Sequence, residues 1–422
     1  MIRSFYSLCL LSLIGMLLVF SCNRSSSPSG RLEAPPAEDP YLILISLDGF
    51  RWDYVERFQP PHLSKFIREG VQAKSLIPSF PSKTFPNHYT IATGMYPDKH
   101  GILANSFYHH EKDETYVIYK RELVQDGDFY RGTPIWVHAK KAGMLAASYF
   151  FVGSEADIQG IRPDYYFNYD RSVPNEDRVN QVLEWLAYPK VKRPQMITMY
   201  FSDMDNVGHG FGPNNDEALL KALMPLDEQL GRLFAGIEQT GLPVNVIIVS
   251  DHGMLEVPID KYLPQEKLIN DTLYRMVSNG ALLSIYPHDL TQTDSILQLL
   301  RTKADHSSVY KTEDLPYFEY IPTDPNWGSI QIMPNDGYYY SQLKSIGTKR
   351  GFDNQNFGEH GFDPNMPELH GIFYANGPAF KSGYALPAIK NIHVYPLMCE
   401  LLGLDIPTDI DGKLKETVKA LK

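Results

Sequence analysis

The sequence predicts an α/β fold with a mostly parallel central sheet and helices on both faces. Three short apolar runs, Tyr41–Leu47 (YLILISL), Met196–Phe201 (MITMYF) and Val244–Val249 (VNVIIV), have the composition of strands buried on both sides. Helical patterns separate them: Arg178–Ala187, then Asp216–Gln239 with Leu219, Leu223, Leu226, Leu230 and Leu233 in step. Each run ends beside acidic residues: Asp48 after the first, Asp203 and Asp205 after the second, Asp251 after the third. Ligands of open α/β sheets bind beyond the carboxyl ends of the strands, so these carboxylates collect along one edge. Pro225 is expected to kink or divide the long helical pattern, since proline lacks an N–H and crowds the preceding turn.

The chain begins with Arg3 and an apolar run from Leu8 to Phe20, too short to span a bilayer comfortably and fitting the core of a secretory signal peptide over residues 1–22. The stretch VFSC, Val19 to Cys22, resembles a bacterial lipoprotein processing box, with Cys22 as the lipidated first residue of the mature chain. Residues 23–40, rich in Ser and Pro, read as a flexible tether. The expectation is an exported protein, periplasmic or in the cell envelope, held to a bacterial membrane by a lipid anchor. Of three cysteines, Cys9 falls in the leader expected to be removed; if Cys22 takes the lipid, rather than being removed or left free by simple cleavage near Ser21, no intramolecular disulfide remains and a core must stabilise the fold.

Residues 41–422 suffice for one large domain, and a hydrophobic content of 43% is ordinary for a globular protein. Asp and Glu outnumber Lys and Arg by 50 to 39, which argues against a nucleic-acid polymer as partner. Residues 261–351 combine polar loops with short strands such as Ala281–Tyr286 and read as an insertion covering the sheet edge.

Pro78, Pro81 and Pro86 shape the loop that carries Thr84 to or near a helix start. On that stretch alone Thr84 reads as an ordinary helix cap. The acidic strand ends change the balance. DNVGH sets Asp205 and His209 four apart, SDHG supplies Asp251 and His252, and EHGFD supplies His360. Imidazole with carboxylate and no thiolate suits zinc or a similar divalent ion. Any one of these residues alone is a cap or a hydrogen-bonded side chain. Asp48 and these five, gathered at one edge, would repel one another unless cations lay between them, and six ligands make two metal sites.

The ordered set LDGF (Leu47 to Phe50), SKTFPNH (Ser82 to His88), TGMYPDKHGILAN (Thr93 to Asn105), DNVGHGFGP (Asp205 to Pro213), SDHGM (Ser250 to Met254) and HGFD (His360 to Asp363) resembles the nucleotide pyrophosphatase/phosphodiesterase family of the alkaline phosphatase superfamily. The resemblance extends through VYKTEDLP (Val309 to Pro316) and HVYPLMCELLGL (His393 to Leu404), nearly the whole mature chain. It implies an alkaline phosphatase-like fold and two Zn2+ per chain, one held by Asp48, Asp251, His252 and the nucleophile Thr84, the other by Asp205, His209 and His360. It makes Asn105 a side-chain donor to a phosphate oxygen, and Phe85 and Tyr169 a pair that stacks on a nucleobase.

Ser202, Asp203 and Met204 depart from the two glutamates and proline of vertebrate members, and Asp205 is taken as the ligand because it alone keeps the spacing to His209. The implied activity is hydrolysis of nucleotide phosphodiester or pyrophosphate bonds to a nucleoside monophosphate through a phospho-threonine. Rival readings are a phosphate monoesterase or phosphonate hydrolase, a phospholipid head-group diesterase, and a binding protein that has lost catalysis. His88 and His100 are expected to hold loops by hydrogen bonds, Lys83 to be a solvated charge, and Arg51 to form a structural ion pair.

Overall fold

Tyr41–Leu47 forms β1, with all 7 residues buried, in the middle of an eight-stranded sheet. The computed structural model describes residues 40–422; the leader with Cys22, and all of the tether but its last residue, lie outside the described residues. The remaining strands are β2 (Val71–Ala73), β3 (Ala146–Tyr149), β4 (Tyr165–Phe167), β5 (Met196–Phe201), β6 (Val244–Val249), β7 (Phe373–Asn376) and β8 (Tyr384–Leu386). They lie in the order β8-β2-β7-β6-β1-β5-β3-β4. All pairings are parallel except those of β7, which runs against both β6 and β2.

The alternation along β1 feeds two cores. Leu42 and Leu44 pack on one face with α2 (Thr84–Thr93), α3 (Ile135–Lys141) and α7 (Val394–Leu402). Ile43, Ile45 and Leu47 face the opposite layer, with α1 (Pro61–Glu69), α4 (Asn175–Ala187) and α6 (Asp216–Thr240). Each such side chain is worth about 1.5–3 kcal/mol when fully buried, which explains why an uninterrupted apolar run is required here.

Two expectations need correction. Helix α4 begins three residues before Arg178, at Asn175, with Pro174 in the cap position ahead of it and Glu176 and Asp177 in its first turn, where acidic side chains are favourable. Helix α6 is not divided at Pro225: it runs 25 residues from an Asn215 cap, whose side chain accepts from Ala218 N, to Gly241. A proline inside a helix costs about 3 kcal/mol, but burial of Leu219, Leu223, Leu226, Leu230 and Leu233 along one face outweighs that. Asp227, two residues after the proline, is itself buried and accepts the backbone N–H groups of His62 and Leu63 at the start of α1.

Between residues 261 and 351 the chain builds more than polar loops. Tyr274–Ser278, Leu283–Pro287, Ile330–Pro334 and Ser307–Lys311 form a four-stranded antiparallel sheet around an apolar cluster that includes Leu300 of the helix Thr293–Lys303. The chain then returns along an antiparallel ribbon, Leu255–Pro258 with Asn356–Glu359, in which Leu255 faces Glu359. Among the described residues no helix is long and apolar enough to cross a membrane.

Candidate metal centre

Three adjacent strands, β6, β1 and β5, deliver the acidic residues. Asp48 follows β1, Asp251 and His252 follow β6 across Ser250, and α5 (Asp203–Phe211) starts across Ser202 from β5. Asp205 and His209 are one turn apart on α5 and share a face. Gly49 lets this helix approach the end of β1: its φ is +64°, and a Cβ there would lie 2.8 Å from the Asp205 Cα. The ribbon that closes the insertion brings in His360, whose ring stacks on that of His252 with centroids 3.6 Å apart.

Thr84 is the first residue of α2, preceded by Lys83 at the cap position, and no side-chain capping bond is made there. Its hydroxyl instead lies 3.3 Å from His252 Nε2, so the ordinary-cap reading is corrected. The loop leading to it is held by Asn87, which accepts from Ser79 N at 2.7 Å and donates to Pro81 O at 2.9 Å and Lys83 O at 2.8 Å. That anchoring was missed in the sequence, although Asn87 lies in the same SKTFPNH stretch.

The three histidines share one arrangement. Nδ1 of His209 donates to Gly358 O at 2.7 Å, that of His252 to Gly253 O at 2.7 Å, and that of His360 to Ser82 O at 2.9 Å. Each bond commits Nδ1 as donor and turns the Nε2 lone pair toward the carboxylates. His252 Nε2 is 3.0 Å from Asp251 Oδ2 and 3.5 Å from Asp48 Oδ1; Asp205 Oδ1 is 3.3 Å from His209 Nε2 and 3.9 Å from His360 Nε2.

Asp48 Oδ1, Asp205 Oδ1 and Asp251 Oδ2 are buried without a hydrogen-bond partner. Lone pairs facing lone pairs in a buried site are what a divalent cation satisfies. Asp48, Asp251 and His252 make one group with metal-binding spacing and Asp205, His252 and His360 another; His209 adjoins the second through Asp205.

Protons and cations compete for these atoms. Burial pushes the Asp48 carboxyl well above the usual range, and the charges of Asp251 and Asp205 push the same way. Against a burial that would lower it, His209 is raised to about 9 by Asp205. Burial would raise Asp251, but His252 and His88 hold it well below the usual carboxylate range. A bound metal would displace such protons.

Asn105 Oδ1 accepts the backbone N–H of Phe85 at 2.9 Å, which leaves the amide NH2 free to donate into a cavity of about 430 Å³. Asp48, Thr84, Phe85, Tyr169, Asp205 and His360 line that cavity. Phe85 and Tyr169 therefore share a cavity with Thr84. Tyr169 packs edge-on against Phe150 and Tyr200, and its backbone N–H is held by Glu155 Oε1 at 2.8 Å. Asp203 faces away, accepting from Asn175 Nδ2 at 2.9 Å.

Some neighbours escaped sequence reasoning. Tyr200 donates its hydroxyl to Asp48 Oδ2 at 2.5 Å; a tyrosine near the end of a buried strand was its only signal. Lys83 is corrected from a solvated charge to a buried one, its Nζ 3.2 Å from Tyr339 Oη, and burial lowers it to about 8. Arg51 makes two bonds to Asp53, at 2.6 and 2.8 Å. His88 lies 2.8 Å from both Ser46 Oγ and Thr84 O, and His100 lies 3.0 Å from Thr90 Oγ1.

Comparison with known proteins gives the same answer in sequence and in structure. Human ectonucleotide pyrophosphatase/phosphodiesterase family member 1 is 33% identical over 407 residues, covering 91% of this chain and 41% of that protein. The chain thus spans under half the length of that relative, and 47% of the venom phosphodiesterase CdcPDE of Crotalus durissus collilineatus, to which it is 35% identical. Human bis(5'-adenosyl)-triphosphatase ENPP4 is 32% identical, covering 89% of this chain and 80% of that protein. The structure of murine ectonucleotide pyrophosphatase/phosphodiesterase 5 superposes with a TM-score of 0.82 at 28% identity, covering 90% of this chain and 100% of that one. The family model for type I phosphodiesterase / nucleotide pyrophosphatase matches residues 42–363, and the chain belongs to that family.

Proposed function

We propose that this chain is a two-zinc phosphodiesterase or nucleotide pyrophosphatase that releases a nucleoside monophosphate through a phospho-threonine at Thr84. The observation that carries this reading is the convergence of imidazole Nε2 atoms and unpartnered carboxylate oxygens beside the Thr84 hydroxyl. Asp48, Asp251 and His252 would hold one ion with Thr84, and Asp205, His209 and His360 the other. When bound, the ions supply positive charge that favours the threonine alkoxide and offsets charge on the phosphoryl group.

Thr84 Oγ1 loses its proton to solvent and forms a bond to phosphorus. The bond from phosphorus to the leaving oxygen breaks, and the electron pair departs with that oxygen. Water then forms a new P–O bond, the Thr84 Oγ1–P bond breaks, and the threonine regains a proton. The sum is one water added across the ester or anhydride.

Asn105 donates its free amide to a phosphoryl oxygen, as its fixed orientation allows. Thr84 stands at the positive end of α2, which favours an anion at the same point. Phe85 and Tyr169 offer aromatic surface for a nucleobase in the cavity they share. A nucleotide substrate is supported by the structure of murine family member 5, described as an inactive threonine-to-alanine variant in complex with AMP. Export and lipid attachment at Cys22 belong to the same proposal and rest on the residues 1–22.

Steady-state kinetics of the zinc-loaded protein on a nucleotide nitrophenyl diester and on nitrophenyl phosphate test the reading. The diester is expected to have the larger specificity constant by far. Preference for the monoester would make this a phosphatase on the same metals.

A further inference from the structure

Strand β3 stays paired with β5 only as far as Tyr149, which lies opposite Met199. The next residue, Phe150, leaves the sheet with φ +69°, in the left-handed region that a bulky side chain seldom adopts. It lines the cavity that holds Thr84 and Asn105, and Tyr169 packs edge-on against its ring with centroids 5.3 Å apart. A residue strained in this way persists only where its surroundings hold it.

Arg178 is the polar part of those surroundings. It is the fourth residue of α4, near the end of the helix where a cation is disfavoured, and only 3% of it is exposed. Its guanidinium carbon lies 5.1 Å from the centre of the Phe150 ring and 5.7 Å from that of Phe201. Nη1 donates to Tyr200 O at 2.9 Å and Nη2 to Val173 O at 3.0 Å. Both terminal nitrogens thus serve backbone carbonyls, and Nε has no hydrogen-bond partner among the described residues.

Three separate pieces of chain meet on this one side chain. They are the turn after β3 with Phe150, the end of β5 with Tyr200, and the loop from β4 to α4 that carries Tyr169 and Val173. The Tyr169 and Tyr200 rings close the arrangement, edge-on with centroids 5.9 Å apart. Arg178 makes no hydrogen bond to Thr84, Asn105 or the candidate metal ligands. Tyr200 alone is common to both groups, its carbonyl toward Arg178 and its hydroxyl toward Asp48.

We propose that Arg178 is a positioning residue for the nucleoside end of the cavity: it holds Phe150 in its strained conformation and ties the Tyr169 loop to β5, so that the aromatic wall is formed before substrate arrives. This inference rests on the function proposed above. A wall already in place lowers the cost of binding, because apparent affinity falls in proportion to the fraction of molecules that have it. The guanidinium suits the task, since its planar fork reaches two carbonyls while its face lies against aromatic rings. An ammonium is a point charge without that fork.

The test compares wild type, Arg178→Lys and Arg178→Gln on a nucleotide nitrophenyl diester and on methyl nitrophenyl phosphate, which has the same leaving group and no nucleoside. In Arg178→Gln the KM for the nucleotide ester should rise about tenfold with little change in kcat, as when the competent fraction falls to about a tenth. Arg178→Lys should recover part of that loss. Both constants for the methyl ester, and the zinc content, should stay at wild-type values. Backbone hydrogen exchange over residues 165–173 should be faster in zinc-loaded Arg178→Gln than in wild type, and AMP should slow it again. Equal losses on the two esters, or loss of zinc, would overturn the proposal by making Arg178 a support of the metal site or of the fold at large. An unchanged KM for the nucleotide ester would overturn it as well. If Arg178→Gln fails to fold, Arg178→Lys decides: a smaller rise in KM confined to the nucleotide ester supports the proposal, and equal effects on both esters overturn it. Wild-type protein that does not prefer the nucleotide ester to the methyl ester would sink the nucleotide reading itself, whereas a wild-type preference that survives intact in the variants removes only the role of Arg178.

Discussion

The side-chain oxygen of Asn105 accepts the backbone N–H of Phe85 at 2.9 Å, and this bond orients the amide toward the space in front of Thr84. Asn105→Asp keeps the acceptor and removes the donor. It should lower kcat by about 10²–10³ with a smaller change in KM and little change in thermal stability. Equal activity in the variant would show that the amide contacts no group that gains charge during reaction.

Three buried carboxylate oxygens lack partners, so bound metal is expected to stabilise the fold. Chelation should lower the melting temperature, and zinc should restore it, since a ligand at about 1,000 times its Kd adds about 4 kcal/mol. Metal analysis should give two ions per chain. A melting temperature indifferent to chelation, in protein freed of metal, would contradict the site.

Tyr200 orients Asp48 through a 2.5 Å bond to Oδ2. Tyr200→Phe leaves that oxygen without its donor, and zinc affinity should fall about 10–100-fold. A competition titration against a chromogenic chelator reads this directly; unchanged affinity would make Tyr200 a packing residue only.

His100 supplies a pH test outside the metal cluster. Burial, then the charge of Arg131, lowers it from 6.5 to about 3, so the folded protein keeps it neutral. Below pH 6.5 the unfolded chain binds a proton that the folded chain refuses, so stability is full above 6.5 and falls as pH drops toward 3. At pH 5 the loss from this residue is about 2 kcal/mol. Urea titrations of metal-free protein at pH 7 and pH 5 should show a smaller decline in His100→Asn than in wild type, whatever the variant's stability at pH 7. Equal declines would mean that His100 takes up its proton while folded.

Much of this was legible in the chain. The strands ending near Asp48, Asp205 and Asp251 announced themselves because both faces of β1, β5 and β6 are buried, and only continuous apolar runs survive there. The parts that were not legible depend on residues distant in sequence. Lys83 is buried by Tyr339, 256 positions away, and no local pattern separates it from a solvated lysine. Pro225 reads as a break because local propensity is visible, while the leucine face that holds α6 together acts through its packing partners. The orientation of Asn105 likewise depends on a backbone N–H 20 residues away.

The central claim is that Thr84 is the nucleophile and that the metal ligands stand without it. Metal content and turnover of Thr84→Ala on a nucleotide nitrophenyl diester test this together. The expected result is two zinc ions per chain and loss of turnover by several orders of magnitude. Substantial turnover in Thr84→Ala with both ions bound would contradict the account.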